Sequence, residues 1–290
     1  MKSNYLKDFF KRDPFDHSAK TKIIFQVILK KIIKHHQRNS KKYKNYLNFL
    51  KRKNTALKAM DIFLTTDAFK NDIISSISEK NILKKVQSSG TSSQLKSKII
   101  LDKQNSLNQR IVLGKIISTI LGNSRLPMII LESKKLFFRK DKDINAKIAA
   151  INGFSNFGKD HFFLLDNDEE IDIKGLKKFV SKYKYQKIFI FDFTFDVYNF
   201  LVKKLEKNKI KDYLKNSILL HGGGWKKLED QKISNYFFKR KIFEKLKIKK
   251  IYNYYGMIEQ AGSIFLECSK CNNLRNSIFS DIFVRNKNLK

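Results

Sequence analysis

Three short motifs in this chain combine glycine with polar side chains in patterns that can bind a phosphorylated ligand. The first motif contains Ser88, Ser89, Gly90, Thr91 and Ser92, followed by Lys96. Backbone N–H groups and small hydroxyl side chains can wrap closely around a phosphate, and a nearby lysine can neutralise its charge. The spacing of a Walker P-loop is absent, so an ordinary serine-rich surface loop is the alternative interpretation.

The second motif is a triple glycine, Gly222, Gly223 and Gly224, which follows an apolar run over residues 218–220. Glycines placed after a buried strand expose bare backbone where open α/β sheets bind their ligands. The motif takes three of the 11 glycines in the chain, and the only tryptophan, Trp225, comes directly after it. These features favour a ligand contact over the alternative, a plain tight turn.

The third motif, Tyr254, Tyr255 and Gly256 followed by Glu259, also stands at the end of an apolar strand pattern. An aromatic ring can stack on a base, and glycine lets a ligand approach the backbone. A carboxylate near a triphosphate can hold Mg²⁺ through oxygen. Taken alone, Glu259 also fits an ordinary surface carboxylate.

Short apolar runs alternate with helical patterns along most of the chain, which predicts an α/β fold with a mainly parallel sheet flanked by helices. The predicted strands are 84–87, 127–131, 162–165, 187–193, 217–220 and 250–254, and the clearest helices are 106–121, 197–205 and 233–246. The apolar positions of the first helix are Leu107, Ile111, Leu113, Ile117 and Ile120. Because each motif follows a strand, one edge of one sheet could present all three motifs.

Residues 1–55 form a basic segment that we predict to be mostly helical and packed on a main domain of residues 56–290. One helix face collects Ile23, Ile24, Val27, Ile28 and Ile32, and the opposite face collects Lys30, Lys31, Lys34, His35 and His36. The alternative is a basic amphipathic helix that lies on a membrane surface. The two histidines fit exposed polar positions better than metal ligands.

The composition is strongly basic, with 61 Lys and Arg against 27 Asp and Glu and a formal net charge of +34. Such a charge favours polyanions. However, the lysines are scattered and accompany many Asn, Ile and Phe residues, as AT-rich codon usage would produce, so we expect no specific nucleic-acid partner. Two cysteines and no apolar run near the ~20 residues of a membrane span predict a cytoplasmic protein.

The order and spacing of the three motifs resemble those of the adenylate-forming enzymes. Their first motif, Ser-Gly-Thr-Thr-Gly-x-Pro-Lys, matches residues 89–96, with Ser92 in place of the second Thr, Ser93 in place of Gly and Leu95 in place of Pro. Their Tyr-Gly-x-x-Glu motif matches residues 255–259. Residues 221–227, with Phe193, Thr194, Phe195 and Tyr198, look like the LuxE-type acyl-protein synthetases, a resemblance that covers residues 61–285. Phenylacetate-CoA ligases are similar but more distant.

The resemblance implies that ATP and a fatty acid give acyl-AMP and pyrophosphate, and that the acyl group then moves to a protein or carrier thiol. The acyl acceptor would be an acyl reductase or an acyl carrier protein. Residues 88–92 and Lys96 would hold the triphosphate, and Glu259 would bind Mg²⁺. The three glycines, Gly256, Tyr255 and Trp225 would border the adenine and the acyl pocket.

The chain stops at Lys290, whereas members of the family continue into a later Asp motif and a small C-terminal domain that carries a Lys assisting adenylation. We therefore expect a truncated adenylation domain whose full activity is in doubt. Two alternatives remain open: an acyl- or aryl-CoA ligase, and an inactive remnant that acts as a basic binding module. Cys268 and Cys271 lack a second pair at zinc spacing and fit structural thiols better than the acyl-accepting nucleophile.

Overall fold

Two sheets are present in the computed structural model, which describes residues 4–53, 62–88, 95–137, 146–205, 211–225, 230, 232–260 and 262–282. The described strands are β1 (Lys84–Gln87), β2 (Lys98–Leu101), β3 (Leu126–Ser133), β4 (Gly158–Leu165), β5 (Phe189–Phe193), β6 (Ile218–Gly222), β7 (Lys250–Tyr255), β8 (Phe265–Glu267) and β9 (Leu274–Arg275). Strands β1 and β2 form an antiparallel ribbon, and the other seven form one sheet in the order β4-β3-β5-β6-β7-β8-β9. The first five strands in that order are parallel, and β8 and β9 are antiparallel additions at one edge.

Some of the described helices precede the larger sheet in the chain, and others connect its strands. They are α1 (Asn4–Phe10), α2 (Ala19–Asn39), α3 (Lys41–Lys53), α4 (Thr66–Asn71), α5 (Lys103–Leu121), α6 (Lys134–Phe137), α7 (Ala146–Ser155), α8 (Ile173–Lys182), α9 (Thr194–Asp196), α10 (Lys211–Leu214) and α11 (Asn235–Leu246). Helix α9 runs directly into a π-helix, Val197–Lys204, and a short 3₁₀ turn spans Glu79–Asn81. Within the described residues, no helix is both long enough and apolar enough to cross a bilayer.

The parallel strands bury both of their faces, because helices cover the sheet on each side. Ile190 of β5 packs in the core with α8, α11 and the π-helix, whereas Phe189 and Phe191 pack in the opposite core with α5 and α7. All five residues of β5 and all five of β6 are buried. Continuous apolar runs of this kind are typical of parallel strands covered on both faces. The predicted α/β class with a mainly parallel sheet is confirmed.

The first motif belongs to the separate ribbon, so the prediction that one sheet edge presents all three motifs is wrong. The N–H of Ser88 donates to the carbonyl of Ser97 at 3.1 Å, and the N–H of Ser97 donates to Oγ of Ser88 at 3.0 Å. The chain therefore returns as an antiparallel hairpin, without the crossover helix that parallel pairing requires. The ribbon contacts α7 through β1.

Helix α2 buries a narrower stripe than the sequence pattern indicated. Ile28 packs on Phe9 of α1 and on Ile278, and Phe25 joins this contact, whereas the side chain of Ile23 is 65% exposed. Val27 is also exposed, so the predicted face is wrong at these two positions, because the small α1 and the segment around residue 278 cover only one side. In α5, Leu107 and Ile111 are likewise exposed, and the helix buries Val112 and Ile116 in their place.

We expect Gly262→Ala to lower the free energy of unfolding by about 2–3 kcal/mol. Gly262 has a φ of +82°, and a Cβ there would lie 2.5 Å from the backbone oxygen of Gln109 in α5. Gly114→Ala, on the same helix, is the matched control, since its Cβ would meet Phe157 at an ordinary 3.7 Å. The control should gain about 0.5–1 kcal/mol, because alanine favours a helix interior. Urea unfolding that showed equal stability for both variants would contradict the close approach.

Candidate active site

The ends of β5, β6 and β7 lie side by side at the carboxyl edge of the parallel sheet. Gly222, the last residue of β6, pairs with Phe193 of β5 on one side and with Tyr254 of β7 on the other. A Cβ at Gly222 would lie 2.4 Å from the ring of Tyr254 and 2.6 Å from its carbonyl oxygen, so this pairing requires glycine. The second and third motifs are therefore brought into direct contact.

The next two glycines present bare backbone to solvent. Gly223 adopts a φ of +74°, and no heavy atom lies within 4 Å of the position that a Cβ of Gly224 would occupy. Both residues are exposed. The residues Gly222–Gly224 are called the glycine loop below. The last two of them expose their backbone at the edge where open α/β sheets bind ligands.

The two tyrosines of the third motif point in different directions. Tyr254 is buried against Phe154 and Phe191, whereas the side chain of Tyr255 is 50% exposed and its ring centroid lies 5.9 Å from that of Phe265. Tyr255 therefore has a free face beside the glycine loop. Gly256 follows, and a Cβ at this position would lie in tight contact with the side chain of Ile264, at 3.2 Å.

Glu259 lies in the turn after β7, four residues beyond Tyr255, and is partly buried. The turn is closed by the N–H of Gln260, which donates to the carbonyl of Met257 at 3.1 Å. Among the described residues, no three His, Cys, Asp or Glu side chains are grouped so that they could hold a metal ion. A single carboxylate suits Mg²⁺ that arrives with ATP, because Mg²⁺ is usually held by one or two carboxylates together with substrate phosphates.

Trp225, predicted to contact the substrate, lies beneath the glycine loop with 7% of its surface exposed. Its ring packs edge-on against Tyr198, with centroids 5.0 Å apart, and against Phe238 of α11, with centroids 6.0 Å apart. These contacts anchor the end of the glycine loop to the core. Contact between Trp225 and a substrate stays a prediction.

The structure describes the first motif only at its two ends. The predicted phosphate ligands Ser89, Gly90, Thr91 and Ser92 lie outside the described residues, while Ser88 and Lys96 flank them on the ribbon. The side chain of Lys96 is exposed, and Ser88 is held by its two hydrogen bonds to Ser97. The assignment of this motif to a triphosphate therefore stays a prediction.

His221 and Thr194 form a buried hydrogen-bond link behind the glycine loop. Oγ1 of Thr194 donates to the carbonyl of Gly222 at 3.1 Å and lies 3.0 Å from Nδ1 of His221. Since the single hydroxyl proton of Thr194 is used on the carbonyl, we assign the imidazole proton to Nδ1, which donates to Thr194. Nε2 of His221 is buried and has no hydrogen-bond partner among the described residues. Burial, aided by the charge of Lys239, lowers the pKa of His221 to about 3, so the ring is neutral near pH 7.

His221 should therefore make the fold sensitive to acid. Its pKa falls from 6.5 to about 3 on folding, so the unfolded chain takes up a proton that the folded protein does not. The contribution of His221 to the free energy of unfolding is fully present above about pH 6.5. It is lost by about 1.4 kcal/mol per pH unit as the pH falls toward 3. His221→Asn, which keeps a donor near the δ position, should flatten the dependence of the free energy of unfolding on pH.

Urea unfolding at several pH values between about 7 and 4 measures this slope, because most of that range lies below the pKa of free histidine. The exposed His161 provides the matched control, His161→Asn, which should leave the slope close to that of the wild type. Parallel profiles for wild type and His221→Asn would show that His221 is not the group responsible.

A buried cluster of one lysine and three carboxylates lies at the same edge, and sequence reasoning did not find it. Nζ of Lys147 in α7 is 2.9 Å from Oδ2 of Asp196 and 3.8 Å from Oδ1 of Asp192, and it also pairs with Glu132 at the end of β3. The only signal in the sequence is the spacing of Asp192 and Asp196 around Phe193 and Thr194 at a strand end. Nothing in the sequence separates Lys147 from the many other lysines.

Cys268 and Cys271 lie at the opposite end of the sheet, because β8 runs antiparallel to β7 and the pair follows β8. Hydrogen bonds from the backbone N–H groups of Cys271 and Lys270 lower the pKa of Cys268 to about 7. An open groove of about 740 Å³ between α11 and the start of β7 lies at this end too, with basic residues such as Lys249 and Lys250 along it. Both features are therefore remote from the glycine loop.

A model of the acyl-protein synthetase family LuxE matches residues 2–290 of this chain. No curated protein matches it. Among solved structures, the fold is similar to that of 2-hydroxyisobutyryl-CoA ligase in an open conformation with 2-HIB-AMP and CoA, with a TM-score of 0.55 and 10% sequence identity. The alignment covers 91% of this chain and 56% of that chain, so this chain spans little more than half of the ligase. At such identity the likeness shows the fold alone, and it confirms the predicted adenylate-forming ligase fold.

Proposed function

This chain belongs to the LuxE family of acyl-protein synthetases, and from that premise we propose that it activates a fatty acid with ATP to give acyl-AMP and pyrophosphate. The acyl group then passes to a thiol of a protein or carrier, such as an acyl reductase or an acyl carrier protein. The observation that carries the proposal is the direct pairing of Gly222 with Tyr254, which joins the glycine loop to the Tyr-Gly-x-x-Glu segment at the carboxyl edge.

The first half-reaction is a substitution at phosphorus. A carboxylate oxygen of the acid attacks the α-phosphorus of ATP, the bond from that phosphorus to the bridging oxygen breaks, and pyrophosphate leaves. Negative charge builds on the phosphate oxygens, so N–H donors and cations fixed in advance lower the barrier. In the second half-reaction a thiolate attacks the acyl carbon and AMP leaves.

The residues of the candidate site divide these tasks. The exposed backbone of Gly223 and Gly224 and the half-exposed ring of Tyr255 suit the adenosine, because such a ring can stack on a base. Lys96, with residues 88–92, would hold the triphosphate. Glu259 would hold Mg²⁺, which supplies charge neutralisation at the phosphates when it is bound with ATP.

The decisive experiment is exchange of labelled pyrophosphate into ATP, with and without a fatty acid. Exchange that requires the fatty acid would establish the first half-reaction. In a second assay with a labelled fatty acid, transfer of the labelled acyl group to added CoA or to a carrier thiol would identify the acceptor. A chain that shows neither exchange nor binding of Mg-ATP would contradict the proposal. Binding of polyanions that weakens steeply with added salt would then favour a basic binding module.

A further inference from the structure

The buried cluster around Lys147 lies beside the glycine loop, yet the proposed chemistry assigns it no task. Asp192 pairs in register with His221, the residue before the loop, and Asp196 ends the short helix α9 that follows β5. Lys147 approaches from α7 and Glu132 from β3, so four elements meet in this cluster. The side chain of Lys147 is 18% exposed and those of Asp192 and Asp196 are 0% and 8% exposed.

The cluster is incompletely satisfied, unlike the other buried carboxylate of the sheet. Glu267 accepts hydrogen bonds on both oxygens, from Lys239 at 2.7 Å and from the N–H of Asn253 at 2.7 Å. Asp192 accepts one from the N–H of Phe193 on Oδ1, but its buried Oδ2 has no hydrogen-bond partner among the described residues. Burial raises the pKa of Asp192, which Lys147 opposes.

One lysine thus serves three carboxylates, and a cluster of this kind adds little to stability relative to an apolar core. Burial lowers the pKa of Lys147, but Asp192, Asp196 and Glu132 together raise it above its usual value, so the lysine stays charged. Removing it would leave buried carboxylates without a counter-ion, which is strongly unfavourable. What the cluster provides is a fixed geometry for the elements that Lys147 joins.

The corner that Lys147 holds is the one that touches the glycine loop. Asp192 and Asp196 stand on either side of Phe193 and Thr194. The hydroxyl of Thr194 donates to the carbonyl of Gly222 at 3.1 Å, and the ring of Phe193 lies 3.3 Å from the position of a Cβ at Gly223. Lys147 therefore fixes both ends of this corner, Asp192 and Asp196. The side chains between them, Phe193 and Thr194, connect the corner to the glycine loop.

We propose that Lys147 is a positioning residue, which holds the Asp192–Asp196 corner and, through Phe193 and Thr194, keeps the glycine loop in the arrangement that the nucleotide uses. Its effect on ATP rests on the proposed function. The link between Lys147 and the loop does not, so the two can be tested apart.

Hydrogen exchange of the backbone amides in residues 221–225, followed by mass spectrometry, tests the link without any ligand. Lys147→Met should speed exchange in this segment on the order of tenfold relative to segments of β4 and α8. Lys147→Arg, which keeps the charge, should restore most of the protection. The matched control is Lys177→Met, at an exposed position of α8, which should leave the loop unchanged.

Thr194→Val removes the bond to Gly222 and leaves the ion pairs in place, so it should loosen the same segment. The double variant Lys147→Met with Thr194→Val should be little worse than Lys147→Met alone, because both changes interrupt one route. If Lys147→Met does not fold, Asp196→Asn takes its place. Protection of residues 221–225 that is unchanged in Thr194→Val and in the lysine or aspartate variant would overturn the proposal.

Pyrophosphate exchange supplies the second readout. Lys147→Met should raise the KM for ATP on the order of tenfold with a smaller change in kcat, whereas mere loss of folded protein would lower kcat and leave KM alone. A wild-type protein without exchange would contradict the proposed function, and hydrogen exchange would still decide the role of Lys147. A wild-type KM together with a protected loop in Lys147→Met would show that the proposed function stands and the positioning role does not.

Discussion

Glu259→Ala is expected to lower fatty-acid-dependent pyrophosphate exchange by at least about 100-fold, while the protein stays folded. Glu259 is partly exposed in the turn after β7, so its removal opens no cavity in the core. Its carboxylate is the only one in the third motif, and loss of the Mg²⁺ ligand leaves the charge on the triphosphate less well neutralised. Exchange rates and the thermal unfolding midpoint, measured on the same samples, check both parts of this expectation.

Glu79→Ala is the matched control, because Glu79 is an exposed glutamate in the 3₁₀ turn before the ribbon. It should exchange pyrophosphate as the wild type does. Lys96→Ala should follow Glu259→Ala in direction, since both side chains would act on the triphosphate. If Glu259→Ala and Lys96→Ala both kept the wild-type rate, the assignment of the site to these motifs would be wrong.

Gly222→Ala is expected to lower the free energy of unfolding by about 3 kcal/mol and to abolish exchange. The added Cβ would lie 2.6 Å from the backbone oxygen of Tyr254 and 2.4 Å from its ring, closer than such atoms approach in proteins. Strands β6 and β7 would have to separate at the edge where the glycine loop meets Tyr254. Urea unfolding gives the loss of stability, and ATP titration gives the loss of binding.

Gly224→Ala provides the control that separates stability from ligand contact. The position of its Cβ is open, with no heavy atom within 4 Å, so the free energy of unfolding should stay within about 0.5 kcal/mol of the wild type. If the loop contacts the nucleotide, the same methyl group should still weaken ATP binding. Unaltered ATP binding in Gly224→Ala would show that only Gly222, through its packing, limits the site.

The larger sheet could be predicted from the sequence because its central strands carry continuous apolar runs. Ile218 to Leu220 and Phe189 to Phe193 are buried on both faces, and this is the pattern that parallel strands leave in a sequence. Of the ribbon, only strand 84–87 was predicted, and it was assigned to the wrong sheet. The apolar pattern of a strand does not predict which strand pairs with it. The antiparallel pairing here depends on hydrogen bonds between Ser88 and Ser97, which the residue types alone do not predict.

The site was predictable only where glycine marks it. A pattern such as three successive glycines, or Tyr255 before Gly256, indicates that another group lies close to the backbone. This indication does not require knowing which group it is. Lys147 and Asp196 are 49 residues apart in the chain, and their pairing depends on how α7 packs on the sheet. His221 was visible beside the glycines, but the burial that keeps its ring neutral depends on tertiary packing, in which the ring of Phe238 lies 4.4 Å away between centroids.

The two ends of the first motif are joined within the ribbon and not through the larger sheet. The chain enters this motif at Ser88 and leaves it at Ser97, and the two hydrogen bonds between these serines close its base. None of the described strands of the larger sheet pairs with β1 or β2, so the register of that sheet does not depend on pairing with the ribbon. Grafting the corresponding segment of an adenylate-forming ligase between Ser88 and Ser97 would therefore exchange the proposed anion-binding element without changing any strand pairing of the larger sheet.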